Sequence, residues 1–210
     1  MAESQTSDRL TVYSDYVCPF CYLGRKSLER YENRRDDDVN LDWQPFDLRS
    51  GKRKPDGTID HDADDGKDDA YYEQAKENVR RLHEKYDVEM AQEIATDIDS
   101  LPAQVAAFYV KENYPEQWRP FDEAILDALW QDGRDIGDPD VLAGIADDEG
   151  LDGDEIRTAA EDEERRERVR EKFAEAQQQG ITGVPTFTYE GYAARGAVPP
   201  EQLERLVEGV

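Results

Sequence analysis

The period of apolar residues changes several times along this chain, and the changes mark out its elements. Residues 10–14 (LTVYS) form a short β-branched and aromatic run with the character of a strand. Beyond it, residues 21–35 place Leu23, Leu28 and Tyr31 at spacings that suit one face of a helix. In residues 39–46 (VNLDWQPF), Val39, Leu41 and Trp43 alternate with polar positions, which predicts a half-buried strand. Residues 50–69 are rich in Gly, Pro, Lys and Asp with almost no apolar content, and read as a long exposed connection. From residue 71 to about 179 the pattern is helical throughout: YYEQAKENVRRLHEKY, LPAQVAAFYVKENY, FDEAILDALWQDG, DPDVLAGIADDEG, and one long charged run ending in VREKFAEAQQQG. Asp138 followed by Pro139 predicts an N-cap with proline at the first helical position, and Gly133, Gly150 and Gly180 stand where helices should stop. Residues 184–189 (VPTFTY) return to strand character, 192–195 offer a hairpin partner across Glu190-Gly191, and 200–207 make a closing helix. The predicted order is β, α, β, a block of helices, β, β, α. Trp43, Trp118 and Trp130 all fall within periodic apolar patterns, which assigns them to the core.

Charge and cysteine usage narrow the classes of function. Against 26 Lys plus Arg the chain has 51 Asp plus Glu, for a net charge of -25. Such a field repels nucleic acid, so no nucleic-acid partner is expected. The acids are spread from end to end, as in 36–38, 62–69 and 161–164, which fits a surface adapted to high salt better than a docking patch for one basic partner. No run approaches the roughly 18 apolar residues that span a bilayer, and the polar start lacks the basic and apolar segments of a leader. A cytoplasmic protein without a membrane partner is the expectation. A chain of 210 residues buries enough surface to fold without disulfides, and its two cysteines lie too close together to staple it.

Those two cysteines carry the chemistry. Cys18-Pro19-Phe20-Cys21 follows the first strand and opens the first helix. At a helix N-terminus a thiol faces unpaired backbone N–H groups and the positive end of the dipole, both of which favour thiolate. Cys18 is therefore expected to be the more acidic and more exposed sulfur, attacking to form a mixed disulfide that Cys21 resolves. A metal site is the alternative, but structural zinc wants four Cys or His ligands, and only His61 and His83 remain, neither with knuckle spacing. No metal is expected, and both histidines read as solvated. Asp15 has two open readings: it tunes thiol ionisation or carries a proton, or it only caps the turn. Pro185, at the start of a strand, cannot donate to a ladder, which leaves a cis bond or an ordinary edge proline.

Taken together, CPFC after a strand and Gly183-Val184-Pro185-Thr186 before one resemble the DsbA-like branch of the thioredoxin superfamily, and within it the FrnE-like group. The likeness extends to DYVCPFCYLGRKSLE, ALWQDGRDIGDPDVLAGIADDEGLD and GVPTFTYEGYAARGAVPPEQLERLV, covering nearly the whole chain. It implies an α/β, thioredoxin-like fold over residues 1–60 and 180–210, interrupted by an inserted α-helical domain over 61–179. It further implies dithiol–disulfide exchange with a protein or small-molecule thiol or disulfide, needing no bound cofactor. In that family the prolyl bond is cis and packs beside the redox pair, so Pro19, Phe20, Val184 and Pro185 would line the substrate position around Cys18. Two features depart from the family pattern. The middle dipeptide has no His, so strongly oxidising behaviour is not implied, and the Asn-Thr and Ala-His pattern is missing around residues 100–107, so no substrate contact is implied from that helix. Glutathione-dependent isomerases and kappa-type transferases resemble the chain in fold too, but would leave Cys21 without a task. An acidic binding module with idle cysteines is the non-enzymatic alternative.

Overall fold

The computed structural model describes residues 9–64 and 66–209. Strand β1 (Leu10–Ser14) pairs in parallel with β2 (Leu41–Pro45), Leu10 opposite Leu41 and Ser14 opposite Pro45. A parallel pair needs a crossover, and helix α1 (Pro19–Glu32) supplies it. On its other side β1 runs antiparallel to β3 (Thr186–Tyr189), which continues into β4 (Tyr192–Arg195), giving the order β2-β1-β3-β4. The β3–β4 turn has positive φ at both Glu190 (47°) and Gly191 (86°), the twist a two-residue hairpin requires. Helix α8 (Pro200–Glu208) closes the chain against α1 and β4.

Between β2 and β3 lie α2 (Asp69–Lys85), α3 (Leu101–Asn113), α4 (Pro115–Trp130), α5 (Pro139–Asp148), α6 (Gly153–Glu161) and α7 (Glu163–Gln178). Asp138 caps α5 by accepting from the Asp140 N–H, and Gly133, Gly150 and Gly180 all adopt positive φ at helix ends. Three details differ from the sequence expectation. Helix α4 begins six residues before Phe121 and carries Pro120 inside it. The long charged run is two helices, because Asp162 leaves the helical region (ψ 118°) and turns its side chain onto the Arg165 N–H as a fresh N-cap. Residues 86–100 are not helical: Asp87 takes φ 46°, and the segment is pinned to the end of α4 by Ala91 N–H to Trp130 O (2.7 Å) and Gln92 Nε2 to Leu129 O (3.0 Å).

One apolar cluster runs through sheet and helices alike, joining Val12, Trp43 and Phe187 to Ile125, Leu129 and Trp130. All three tryptophans are buried in it, with Trp43 lying between the tilted rings of Tyr16 (5.9 Å) and Trp118 (6.4 Å). At roughly 1.5–3 kcal/mol per buried large side chain, this cluster is the main source of stability. It also encloses a charge pair, Arg25 of α1 with Asp122 of α4, the latter accepting from Tyr16 Oη (2.7 Å) while Arg25 lies over the Trp118 ring. No helix among the described residues is long and apolar enough to cross a membrane.

Candidate active site

Strand β1 delivers the chain to its upper edge at Ser14, and Asp15-Tyr16-Val17 turns it into α1. Cys18 is the N-cap (φ −91°, ψ 113°), and Pro19 occupies the first helical position, where a missing N–H costs nothing. The Cys21 N–H bonds back to the Cys18 carbonyl (3.0 Å), which sets the second sulfur one turn in, and the first turn carries no acidic residue to oppose thiolate. Facing this helix end is the loop 183–186, whose Val184–Pro185 bond is cis. The Cys18 thiol donates to the Val184 carbonyl at 3.6 Å. The loop is held by Thr186 Oγ1 to the Gly183 carbonyl (2.7 Å) and by the Gly196 N–H to the Pro185 carbonyl (2.8 Å). Gly24 makes the approach of α1 possible, since a Cβ there would lie 3.1 Å from Pro185 Cγ. Phe20 is half-buried, packed against the Leu23, Val79 and Tyr86 cluster. Pro19, Phe20, Val184 and Pro185 are thus gathered around Cys18.

Cys18 is the more exposed of the two sulfurs, as expected, but both lie under cover. Cys18 is only 3% exposed and Cys21 1%, both as free thiols. The cover comes from residues 48–64 and 66–72, which are not merely an exposed connection: Lys52, Ile59, His61 and Lys67 line a cavity of about 340 Å³ together with Val17 and Cys18. A short 3-10 turn (Ser50–Lys52) and an Arg53–Ile59 bridge shape this roof. Arg53 fastens it, with Nε on Asp47 Oδ2 (2.6 Å) and Nη2 on Asp99 Oδ1 (2.8 Å). Burial alone would raise the Asp99 carboxyl, but the Arg53 bonds outweigh it and hold the group below the usual range. His61 is exposed at the cavity edge, whereas His83 lies half-buried on α2, lining a different depression beside Met90 and Gln131.

Beneath the sulfurs, Asp15 is fully buried. Its carboxylate accepts from the N–H of Val17 (3.2 Å) and of Leu48 (2.9 Å), and from Gln104 Nε2 (3.3 Å). Burial and the nearby charge of Asp47 push its pKa up to about 6 in spite of those bonds. Burial, then the hydrogen bond with Cys18, raise the Cys21 thiol well above its ordinary value, and the charge of Asp15 adds to the effect. Asp15 therefore does cap the turn and is also electrically in contact with Cys21. Gln104 escaped sequence reasoning. Its signal is a lone amide on the otherwise apolar start of α3 (LPAQVAAFYV), where it also donates to the Phe46 carbonyl (3.0 Å) and to Ser100 Oγ (3.2 Å). Among the described residues no three His, Cys, Asp or Glu side chains converge in a way that could hold a metal ion.

A mixed four-stranded sheet, a Cys-x-x-Cys opening the helix after its first strand, and a cis-prolyl loop across from the first sulfur define a thioredoxin-type dithiol protein. The chain belongs to the DsbA-like thioredoxin-domain family of oxidoreductases, whose model matches residues 9–208. It is 28% identical over 199 residues to the uncharacterised protein YwbO of Bacillus subtilis, a match spanning 94% of each chain. Among solved structures it resembles one described as a probable DsbA oxidoreductase of Streptomyces coelicolor (TM-score 0.74, 23% identity, 96% of this chain and 90% of that one). It also resembles the cytosolic disulfide reductase DsbM of Pseudomonas aeruginosa, solved with GSH (TM-score 0.62, 19% identity, 95% and 93%). These structural likenesses bear on the fold.

Proposed function

We propose that Cys18 and Cys21 are the working pair of this oxidoreductase and act through a mixed disulfide. In the oxidising direction for the pair, the Cys18 thiolate attacks one sulfur of a substrate disulfide, whose S–S bond breaks and whose other half leaves as thiolate. Cys21 then loses its proton and attacks Cys18 Sγ, expelling the second half and closing the Cys18–Cys21 disulfide, so two electrons pass to the substrate. Asp15 is the acceptor for the Cys21 proton: near pH 7 a carboxyl with a pKa of about 6 is mostly ionised and close enough to neutrality to exchange protons. The observation that carries the reading is the placement of Cys18 Sγ on the amino end of α1, 3.6 Å from the carbonyl of the cis Val184–Pro185 unit.

Several finer assignments belong with this reading. The motifs around Cys18 and Pro185 support membership of the FrnE-like group, and the helical block 61–179 is read as an insertion into a thioredoxin-like unit. A polar, strongly acidic exterior fits the cytoplasm of a cell with high internal salt. The test of the mechanism is Cys21→Ser, which is expected to stop turnover and accumulate a mixed disulfide on Cys18, detected as a mass adduct that dithiothreitol removes. Full turnover by that variant would replace two-thiol exchange with single-thiol chemistry.

A further inference from the structure

We infer that Ser100 and Gln104, one turn apart at the start of α3, are positioning residues that orient the Asp15 carboxylate to take the Cys21 proton in the resolving step. The inference rests on the reading of Asp15 as proton acceptor and adds the pair that equips it for that task. The setting of Gln104 comes first. The opening of α3, LPAQVAA, is buried throughout, and Gln104 is 0% exposed within it. Its Oε1 has no hydrogen-bond partner among the described residues. An apolar side chain of the same length would spare the core that unpaired acceptor, so the value of the residue lies in its N–H groups. Nε2 faces Asp15 Oδ1 (3.3 Å), the Phe46 carbonyl (3.0 Å) and Ser100 Oγ (3.2 Å). Turning the amide over would set Oε1 against a carboxylate and a carbonyl, which fixes its orientation.

Ser100 supplies the second observation. It stands at the N-cap of α3, where a serine ordinarily bonds the helix backbone, yet its side chain makes no cap bond. Asp99 serves the Leu101 N–H instead (2.9 Å). Ser100 is 1% exposed, and an amide donor aimed at its oxygen leaves the hydroxyl proton to be given elsewhere. It goes to Asp15, whose affinity for a proton it lowers. The pair thus adds donors from α3 to a carboxylate already held by the N–H groups of Val17 and Leu48. From the chain after β2, Asp47 acts the other way and raises that affinity, while Arg53 answers Asp47 (2.6 Å). Tyr16, on the same turn as Asp15, commits its hydroxyl to Asp122 (2.7 Å), and Cys21 faces Asp15 from α1. Without the α3 donors, burial and Asp47 push Asp15 further toward the neutral acid, which cannot accept a proton. In the resolving step the Cys21 proton passes to Asp15 and the Cys21 sulfur attacks Cys18 Sγ. The bond from Cys18 to the substrate sulfur breaks, and its electron pair leaves with the substrate.

The test uses the reduced full-length chain and excess 4,4′-dithiodipyridine, which releases a coloured thiopyridone first as Cys18 attacks and again as Cys21 resolves. Stopped-flow traces across pH give the midpoint of the second phase, with the first phase as the reference for access. In the native chain that midpoint is expected at about 6, following Asp15. Gln104→Met keeps the length and loses the donors. It should raise the midpoint by about one unit, slowing the second phase about fivefold at about pH 6 and about twofold at about pH 7. Ser100→Ala should move the midpoint the same way by about half a unit, and it decides alone if circular dichroism shows that Gln104→Met does not fold. A packing role would slow the phase equally at every pH, so an unmoved midpoint in the folded variants overturns the inference. Asp15→Asn separates the inference from its foundation and is expected to abolish the midpoint. If Asp15→Asn keeps the native profile, Asp15 is not the acceptor and both fall. If it abolishes the midpoint while the α3 variants leave it in place, the inference falls alone.

Discussion

Opposite walls of the cavity beside Cys18 are built from different forces. The floor, formed by β1, α1 and the loop before β3, is held by strand pairing and apolar contact: Pro185 against Gly24, and Val184 against the Tyr13, Phe46 and Ile181 cluster. The roof, residues 48–64 and 66–72, has few apolar anchors and is tied down by charge, through Arg53 to Asp47 and Asp99 and through Arg49 to the carbonyls of residues 95 and 98. The contrast teaches that the sulfur is placed by terms nearly indifferent to salt, whereas its cover is placed by terms that respond to the solution.

The largest test of that contrast is transfer from molar salt to dilute buffer. At 1 M ionic strength charges are screened within roughly 3 Å, and removing that screen sets 51 acids against one another. The whole fold is expected to lose stability, with amide exchange rising in 48–72 before β1 and β3. Full stability at low salt, measured by thermal unfolding, would remove the high-salt adaptation. Next comes Arg53→Ala, which strands the 2%-exposed side chain of Asp47 without a counter-ion. A cost of about 3 kcal/mol is expected from urea titration, with faster alkylation of Cys18 as the roof loosens. An unchanged alkylation rate would show that the roof is held otherwise.

The smallest effect tests the floor. Asp15 has a folded pKa of about 6, above the unfolded value near 3.8, so the folded form holds its proton more tightly. Stability from this group is therefore present below about pH 4 and is lost as pH rises to about 6. Asp15→Asn should accordingly stabilise the chain by up to about 2 kcal/mol at pH 7.5, since two pKa units correspond to nearly 3 and the Val17 and Leu48 bonds weaken. That gain should vanish near pH 4, and resolution of the mixed disulfide should slow. A stability difference independent of pH would contradict the burial of a charged Asp15.

Much of the floor was legible in the chain because its determinants are local. Cys18 and Cys21 are one turn apart, Pro19 announces the helix start, and Glu190-Gly191 announces the hairpin. The resemblance, in turn, supplied the partnership of Val184 and its cis-prolyl neighbour with Cys18, Val184 lying 166 residues away. The roof was not legible. Nothing in a polar stretch such as 50–69 says that Arg53 will find Asp99, because long-range ion pairs leave no periodic trace. The same holds for Gln104, whose partner Asp15 lies 89 residues away. The burial of Cys18 was missed for that reason too, since the cover is built by the segment that reads most like solvent-exposed chain. The break at Asp162 was visible only as one capping residue inside a run of charges.

The Arg25–Asp122 pair bears on how this molecule could be taken apart. Excising residues 61–179 to obtain a minimal thioredoxin would leave α1 with a guanidinium on its inner face, and would deprive the hydroxyl of Tyr16, two residues from Cys18, of its acceptor. Conversely, grafting α1 onto another scaffold would carry along a cation that only α4 answers. A transplant succeeds only if it moves both helices or exchanges the pair for apolar side chains in one step, so the helical block is a structural complement of the redox helix and cannot be treated as a removable ornament.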